Sequence, residues 1–337
     1  MILQRNFTII YEADIVNIVI IGLGSMGKRR IRLIKEMYPD FRLTGIDGRE
    51  DRRNETAELF GIRCFSNISD IKENIDCAFI STSPLSHHPI ITDCLSRGWN
   101  VFTELNLVDD GYDDNIRLAD EKNCVLFLSS TFFYREETKY IRSRIAPEKQ
   151  WNYIYHIGQY LPDWHPWENY KDFFIGDKRT NGCREIMAIE LPWLIGAFGE
   201  IDTVQAISDK MTGLNISFDD NYMIRISHRN GNKGLLIVDV VSPVAVRKLE
   251  AYAENAYISW NGTPDSISEF DPETKKLVNI ELNEMTEHKE GYSAFIVENA
   301  YKNEIKEFFD VVLDHKDPIY GFEQDKKILA IIDSLGA

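Results

Sequence analysis

A short glycine-rich turn between a strand and a helix constrains this chain more than any other feature of its sequence. The segment Gly22-Leu23-Gly24-Ser25-Met26-Gly27 follows the apolar run 16–21 and opens a helical pattern. In such a loop the first glycine allows a tight turn, the second lets a pyrophosphate approach the backbone, and the third lets helix and strand pack closely. The amides and the positive dipole end of the helix then favour phosphates. The motif predicts a Rossmann-type domain for a nicotinamide cofactor, bound through Gly22, Gly24, Ser25, Met26 and Gly27.

A carboxylate lies where the ribose of such a cofactor would bind. Asp47 ends the next predicted strand, about 20 residues beyond the last glycine, and an acidic residue there binds the adenosine ribose hydroxyls. This position favours NAD. Arg49, Arg52 and Arg53 follow closely, and because one of them can hold a 2′-phosphate, the sequence leaves NADP open.

Strands and helices alternate through the first part of the chain. The predicted strands are 14–21, 42–47, 77–81, 100–103 and 125–129, and the predicted helices are 26–37, 53–60 and 88–97. Alternation of this kind predicts βαβ units and a parallel sheet. We therefore expect an α/β protein whose Rossmann dinucleotide-binding domain spans residues 1–130.

Strand-like runs dominate after residue 130. A predicted helix, 136–145, precedes them, and the runs are 153–160, 204–209, 215–218, 222–228, 234–241, 249–253 and 257–260. Turn signals such as Asn230-Gly231-Asn232 separate them, which favours antiparallel pairing. Helical patterns at 295–313 and 321–335 close the chain. We expect an α+β domain over residues 131–337, built on a large open, mostly antiparallel sheet, whose final helices can pack back on the N-terminal domain.

Charge and cysteine usage exclude several function classes. The formal net charge of −16 argues against a general nucleic-acid binder. The five cysteines are scattered and form no CxxC pair, so we expect reduced thiols in a cytoplasm and no metal site. The longest apolar run near the start, 15–23, is too short to span a bilayer, and the first residues lack the pattern of a signal peptide. We expect a cytoplasmic protein with no membrane partner.

Four stretches together resemble the glucose-fructose oxidoreductase / inositol dehydrogenase (Gfo/Idh/MocA) family. Segment 16–27 is similar to its opening fingerprint, and 76–87 to a strand that ends in a Thr-Pro-type turn with a histidine after it. Segment 98–104 resembles the strand leading to the family's Glu-Lys-Pro motif, and the end of the chain from Ala300 resembles its closing helices. The resemblance implies NAD(P), a polyol or sugar-type substrate, and an oligomer formed through the sheet, a homodimer or homotetramer.

The resemblance also implies roles for residues outside the glycine loop. It places a group of five residues on the nicotinamide side of the cofactor: Ser81, Thr82, Ser83, Pro84 and His87. It places Glu104 near the nicotinamide ribose.

The chain departs from the family at the residues that transfer protons. The Glu-Lys-Pro motif reads Glu104-Leu105-Asn106, and leucine can neither take nor give a proton. A second family motif, with an Asp and a His four residues later on a helix, matches the stretch 180–190. Our alignment puts Glu185 at the Asp and Ile189 at the His, and a shift by one residue puts Glu190 at the His. Neither alignment supplies a histidine.

The segment from Asp163 to Tyr170 offers a replacement. It combines titratable and aromatic side chains, as a sugar-binding loop does. We predict that His165 transfers the proton, since the unperturbed histidine pKa near ~6.5 suits that role, and that Glu185 holds substrate or orients His165. The predicted substrate-binding residues are Tyr134, Asp163, Trp164, Tyr170 and Arg184. The alternative is a structural loop whose tryptophans pack on the core.

The sequence thus predicts an NAD(P)-dependent oxidoreductase that transfers a hydride from or to a sugar or sugar derivative. A nucleotide-linked sugar of a surface glycan is one such substrate. Two alternatives stay open. One is an enzyme that uses bound NAD without net redox change, as in NAD-dependent glycoside cleavage. The other is a Rossmann-type protein that has lost catalysis and binds a ligand or partner.

Overall fold

A computed structural model of the chain describes residues 16–164, 169–282 and 297–337. It contains two compact units. Among the described residues, the first combines 16–104 with Gly111–Ser129 and Glu304–Phe322, and the second combines Leu105–Asp110, the described part of 130–303 and Glu323–Ala337. The sequence divided the chain once, near residue 130, whereas the contacts divide it at several points.

The first unit contains a six-stranded parallel sheet with the order β3-β2-β1-β4-β5-β6. Its strands are β1 (Asn17–Ile21), β2 (Arg42–Ile46), β3 (Arg63–Phe65), β4 (Cys77–Ile80), β5 (Asn100–Thr103) and β6 (Leu126–Leu128). Its helices are α1 (Ser25–Met37), α2 (Glu50–Phe60), α3 (His87–Ser96) and α4 (Tyr112–Lys122). The strand order reverses between β1 and β4, and a doubly wound sheet binds its ligand at such a switch point. The predicted Rossmann sheet is confirmed.

The apolar run of β1 lies at the centre of this sheet. Ile18, Val19 and Ile20 have no exposed surface, as expected for a parallel strand that is covered on both faces. Aromatic rings from neighbouring strands continue the core. Phe79 and Phe102 stack with centroids 4.7 Å apart, and Phe308 packs edge-on against both rings.

The second unit contains an eight-stranded sheet with the order β14-β13-β12-β11-β7-β10-β9-β8. The strands are β7 (Asn152–Gly158), β8 (Ile201–Asp209), β9 (Asn221–His228), β10 (Lys233–Asp239), β11 (Val246–Ala253), β12 (Ala256–Trp260), β13 (Ser268–Asp271) and β14 (Lys276–Asn279). Among the described strands of this sheet, only β7 and β10 pair in parallel. The predicted large, mostly antiparallel sheet is confirmed.

Helices complete the described chain. The helices α5 (Glu136–Arg144) and α6 (Gly182–Phe198) lie in the second unit, and the chain closes with α7 (Glu298–Asp314) and α8 (Phe322–Ser334). Along β7 the side chains alternate, with Tyr153 and Tyr155 buried and Ile154 40% exposed, so one face of the sheet belongs to the core and the other is open. Nowhere in the described segments is a helix both long and apolar enough to cross a membrane.

The predicted strand 215–218 is wrong. Residues 210–220 contain no strand, because the buried carboxylate of Asp220 folds the segment back on itself. It accepts hydrogen bonds from the amides of Met211 at 2.7 Å and Thr212 at 3.0 Å. The sequence analysis also missed β3, α4, β13 and β14. Residues 14 and 15 of the first predicted strand, and residues 295 and 296 of the predicted helix 295–313, lie outside the described residues.

Candidate cofactor and substrate sites

The first glycine of the loop occupies a position that no other residue fits. Gly22 has φ +94°, in the left-handed region that favours glycine, and its amide donates to the Ile46 carbonyl at 2.8 Å. A Cβ there would lie 2.5 Å from the carbonyl oxygen of Ser81. The loop is therefore pressed against the end of β4.

The other two glycines differ in what requires them. A Cβ on Gly27 would lie 1.9 Å from the Gly22 carbonyl oxygen, so the fold itself demands glycine there. A Cβ on Gly24 would have only the Arg52 guanidinium nearby, at 3.7 Å. Its φ of −72° is one that any residue adopts, and no side chain caps α1. The chain needs no glycine at 24, whereas a phosphate approaching the uncapped amides of α1 needs the space. The loop fits a pyrophosphate.

Asp47 closes the loop from the β2 side. Its Oδ2 accepts the Leu23 amide at 2.8 Å and its Oδ1 accepts the Arg49 amide at 2.8 Å. The side chain is 9% exposed. Both bonds fix the carboxylate at the edge of the glycine loop, where its predicted role is to bind the adenosine ribose.

The three arginines after β2 are not equivalent. Arg53 donates to the carbonyls of Asp47 at 2.8 Å and Gly48 at 2.9 Å. Arg49 is exposed and pairs with Asp51 at 2.5 Å. The Nη1 of Arg52 lies 3.7 Å from the Asp47 carboxylate and faces the space above Gly24, so Arg52 is the arginine best placed to meet a 2′-phosphate.

Hydrogen bonds among its own residues stabilise the turn after β4. The Oγ of Ser86 donates to the Oγ1 of Thr82 at 2.8 Å. His87 is 2% exposed, and its Nε2 lies 3.0 Å from the Thr82 carbonyl, so this nitrogen carries the proton. Its Nδ1 lies 3.3 Å from the Thr103 hydroxyl. His87 therefore supports the predicted nicotinamide-side turn of Ser81, Thr82, Ser83 and Pro84 from beneath.

Glu104 follows β5 and is held by Arg30 of α1. The Nε of Arg30 donates to Glu104 at 2.6 Å and its Nη2 at 2.9 Å. Arg30 has no exposed surface and also binds Glu304 of α7 at 2.8 Å. No local pattern identifies this contact, since Glu304 lies 274 residues along the chain.

In the second unit Glu185 has an unusual environment. It lies one turn into α6, and its Oε2 is buried with no hydrogen-bond partner among the described residues. Burial raises the pKa of Glu185 to about 7. A carboxyl with such a pKa can take up or release a proton near neutral pH.

Trp164 lies close to the same face of α6. A Cβ on Gly182 would lie 3.4 Å from the Trp164 ring, and Gly182 and Glu185 are three residues apart on one face of α6. The Trp164 Nε1 donates to the Gln159 carbonyl at 3.1 Å. Asp163 is exposed and Tyr170 is half-buried. His165, the predicted proton-transfer residue, lies outside the described residues.

Two predicted substrate-binding residues are largely enclosed. Arg184 is 5% exposed, and it donates to the Leu107 carbonyl and binds Asp333 at 2.6 Å. Tyr134 is 2% exposed, and its carbonyl accepts from Asn303 at 3.4 Å. Both positions give these side chains structural contacts, and their predicted binding of substrate stays a prediction.

Glu190 belongs to a buried polar cluster that sequence reasoning missed. It has no exposed surface, and it accepts from the hydroxyl of Tyr155 at 2.7 Å and the indole of Trp193 at 2.7 Å. Arg247 binds its other oxygen at 2.8 Å. All of these donors come from the second unit, so Glu190 ties α6 to the sheet and has no capacity left for proton transfer. Within residues 16–164, 169–282 and 297–337, no group of three His, Cys, Asp or Glu side chains could hold a metal ion.

Comparison with known proteins agrees with the geometry of the glycine loop. Residues 16–130 match the family model GFO_IDH_MocA, described as an oxidoreductase family with an NAD-binding Rossmann fold. No curated protein matches the chain in sequence.

Solved structures share the fold over nearly the whole chain. GenD2 from gentamicin A biosynthesis, in complex with NAD, is 15% identical with a TM-score of 0.74, covering 100% of this chain and 96% of that one. UDP-N-acetylglucosamine 3-dehydrogenase GnnA from Acidithiobacillus ferrooxidans is 14% identical with a TM-score of 0.75, covering 96% and 97%. Levoglucosan dehydrogenase with NADH and levoglucosan is 16% identical with a TM-score of 0.77, covering 96% of each chain.

Proposed function

We propose that this chain, whose residues 16–130 match the model of the Gfo/Idh/MocA oxidoreductase family, is an NAD-dependent dehydrogenase of a sugar or sugar derivative. The observation that carries the proposal is the space at Gly24. The protein needs Gly22 and Gly27 for its own backbone, whereas the described chain places only the end of the Arg52 side chain, at 3.7 Å, near a Cβ at Gly24. A loop kept open at that point fits a bound pyrophosphate.

The remaining cofactor residues fit NAD. Asp47 presents a fixed carboxylate at the end of β2, which suits two ribose hydroxyls and repels a 2′-phosphate. Arg52 lies beside that carboxylate and can bind a 2′-phosphate. We therefore expect NADP to bind as well, but more weakly than NAD. NAD, when bound, supplies a hydride acceptor for an alcohol carbon.

Oxidation of an alcohol also needs a group that accepts the hydroxyl proton. The family lysine is replaced by Leu105, and the histidine position holds Ile189 or the fully engaged Glu190. Glu185 has a buried oxygen without a partner and a pKa raised to about 7 by burial. We assign Glu185 as the proton acceptor, and His165 stays the proton-transfer residue that the sequence predicts.

The sugar class rests on described residues of the segment from Asp163 to Tyr170. Trp164 and Tyr170 offer aromatic faces on which sugar rings stack, and Asp163 offers a carboxylate for hydroxyl groups. The structures that share this fold include dehydrogenases of a nucleotide-linked sugar and of an anhydrosugar. Both facts support a sugar substrate.

The test measures cofactor binding first and chemistry second. The purified protein is titrated with NADH and NADPH by energy transfer from tryptophan, and sugars and nucleotide sugars are then screened for NADH formation with wild type and Glu185→Gln. Saturable NADH binding and a substrate whose turnover falls in Glu185→Gln support the proposal. If neither cofactor binds, the proposal is wrong and the non-catalytic alternative is favoured. Release of a sugar without NADH accumulation favours NAD-dependent cleavage without net redox change.

The open face of the second sheet supports self-association. Ile207 of β8 and Met223 of β9 are paired across the sheet and are 77% and 50% exposed, and Leu235 of β10 is 40% exposed. Exposed neighbouring apolar side chains of this kind mark a protein interface. We propose a homodimer or homotetramer that covers this face. Light scattering on a Met223→Glu, Leu235→Glu variant tests it, with Leu59→Glu on α2 as the control, since Leu59 is 62% exposed in the other unit.

The cysteines support a reducing compartment. All five are free, and three of them are buried: Cys77, Cys94 and Cys183. A cytoplasmic location is consistent with this pattern.

A further inference from the structure

The open face of the second sheet carries its side chains in rows that run across the strands. Residues that are paired on neighbouring strands point to the same face of a sheet. The register therefore places six side chains in one row on the open face, one each from β8, β9, β10, β7, β11 and β12: Gln205, Arg225, Leu235, Ile154, Glu250 and Ser259. We name these six residues the central row.

The charges of the central row are placed symmetrically about its apolar centre. Leu235 and Ile154, each 40% exposed, lie side by side in the middle. Arg225 lies one strand beyond Leu235, and Glu250 lies one strand beyond Ile154. Within the described segments, Arg225 donates to the Gln205 amide oxygen at 3.4 Å and pairs with no carboxylate. Three strand spacings, about 14 Å, separate Arg225 from Glu250, so the two do not pair within one chain.

Two orientations of a two-fold axis stack two copies of this face with their strands aligned. If the axis crosses the strands along the central row, each residue of the row meets its own counterpart. Arg225 then faces Arg225 of the partner subunit, and Glu250 faces Glu250 of the partner subunit. If the axis instead runs parallel to the strands, above the midpoint between Leu235 and Ile154, then Arg225 of one protomer faces Glu250 of the partner subunit.

We propose that the protein self-associates about the axis parallel to the strands, with Arg225 of each protomer bound to Glu250 of the partner subunit. The inference rests on the self-association proposed for this face. Like charges that face each other oppose association, whereas opposite charges stabilise it and fix the register. The same axis brings Leu235 against Ile154 of the partner subunit twice, which buries the apolar centre of the row. Glu250 lies 3.0 Å from Lys248 of its own chain, so in the dimer its carboxylate binds two cations.

Charge reversal tests this pairing, with sedimentation velocity as the measurement. Arg225→Glu turns both contacts of the dimer into pairs of glutamates, and Glu250→Arg turns both into pairs of arginines. We expect each variant to raise the dissociation constant of self-association about tenfold or more. The double variant restores two opposite-charge contacts and should return to within about threefold of wild type. A mixture of the two single variants should form mixed dimers, because each of their contacts joins a glutamate to an arginine.

Lys233→Glu is the matched control, because it makes the same change of charge on the same face. Lys233 pairs with Asn152 across β10 and β7, so the proposed axis places Asn152 of the partner subunit opposite it. Lys233→Glu combined with Glu250→Arg has the same net charge as the double variant. We expect this combination to remain as weakly associated as Glu250→Arg alone. Arg225 and Lys233 are exposed and Glu250 is half-buried, so we expect folded variants, which circular dichroism checks.

The outcomes separate this inference from the proposals on which it rests. If Met223→Glu, Leu235→Glu dissociates the protein but Glu250→Arg does not restore the association of Arg225→Glu, this inference alone is wrong. The same holds if neither single reversal weakens association. If wild type stays monomeric, the proposed self-association is wrong as well. The proposed dehydrogenase activity is tested separately, by the binding of NADH to the same preparations.

Discussion

A Cβ on Gly27 would begin 1.9 Å from the carbonyl oxygen of Gly22, inside the turn that joins β1 to α1. Because the obstacle is backbone, it cannot move aside without opening the turn. We expect Gly27→Ala to lower the free energy of unfolding by at least about 2 kcal/mol, as overpacking against rigid atoms does. Chemical denaturation monitored by circular dichroism measures this loss.

Gly24→Ala is the counterpart of that variant. Only the Arg52 guanidinium lies near a Cβ at this position, so we expect the free energy of unfolding to change by less than about 1 kcal/mol. The affinity for NADH should fall about tenfold or more, because the methyl group occupies the space proposed for the pyrophosphate. Gly24→Ala with wild-type NADH affinity would falsify the assignment of the cofactor to this loop.

The choice between NAD and NADP depends on Asp47. Asp47→Ser removes the fixed carboxylate and leaves Arg52 free to meet a 2′-phosphate. We expect the affinity for NADH to fall about tenfold, since hydrogen bonds to a charged group are lost, and the affinity for NADPH to rise. Adding Arg52→Gln should abolish the gain for NADPH. Parallel titrations with both cofactors measure the ratio, and an unchanged ratio contradicts the prediction.

The half-buried Glu185, whose Oε2 is fully enclosed, should make stability depend on pH. Its pKa is raised from 4.5 to about 7 in the folded state, so folding favours its neutral form. Its contribution is fully present below pH 4.5 and is lost as the pH rises through 7. Raising the pH from 4.5 to 8 should therefore destabilise wild type but not Glu185→Gln. Over this range we expect the free energy of unfolding of the variant to rise by about 2 to 3 kcal/mol relative to that of wild type.

The same variant should lose activity on the substrate that the screen identifies, by about a hundredfold or more in kcat, because the proton acceptor is absent. Thermal denaturation at both pH values and steady-state kinetics measure the two effects. Glu200→Gln is the control, since Glu200 is exposed. A pH dependence equal to that of wild type would show that Glu185 is solvated.

The Glu190 cluster should stabilise the second unit without touching cofactor binding. Glu190→Ala removes the buried carboxylate that accepts from Arg247, whose side chain is only 12% exposed. We expect a loss of about 3 to 5 kcal/mol in the free energy of unfolding. Glu200 is exposed and lies just after α6, so Glu200→Ala should change the free energy of unfolding by less than about 0.5 kcal/mol. At a temperature where the variant is folded, its affinity for NADH should equal that of wild type.

Short stretches of sequence determine some features of the site. The glycine loop can be predicted from sequence because the constraints on it are local. Gly22 needs a positive φ, and Gly27 packs against the Gly22 carbonyl, so the interacting groups lie within six residues. The buried strands of the Rossmann sheet are legible because burial on both faces demands an unbroken apolar run. The segment 215–218 looked equally strand-like, but the distant hydrogen bonds of Asp220 overrode its local preference.

By itself, the sequence determined the Rossmann loop, its strand–helix context and the open sheet that follows, because local backbone sterics and side-chain periodicity encode these. Only the tertiary structure decided which charges meet. From the sequence, Arg30 is a basic residue on a helix and nothing local indicates its partner. In the folded chain it binds Glu304, 274 residues away, and both side chains are buried. Glu185 likewise gains its raised pKa from burial alone. The electrostatic free energy of such groups depends on the surrounding dielectric and on partners remote in sequence, and no local pattern encodes either.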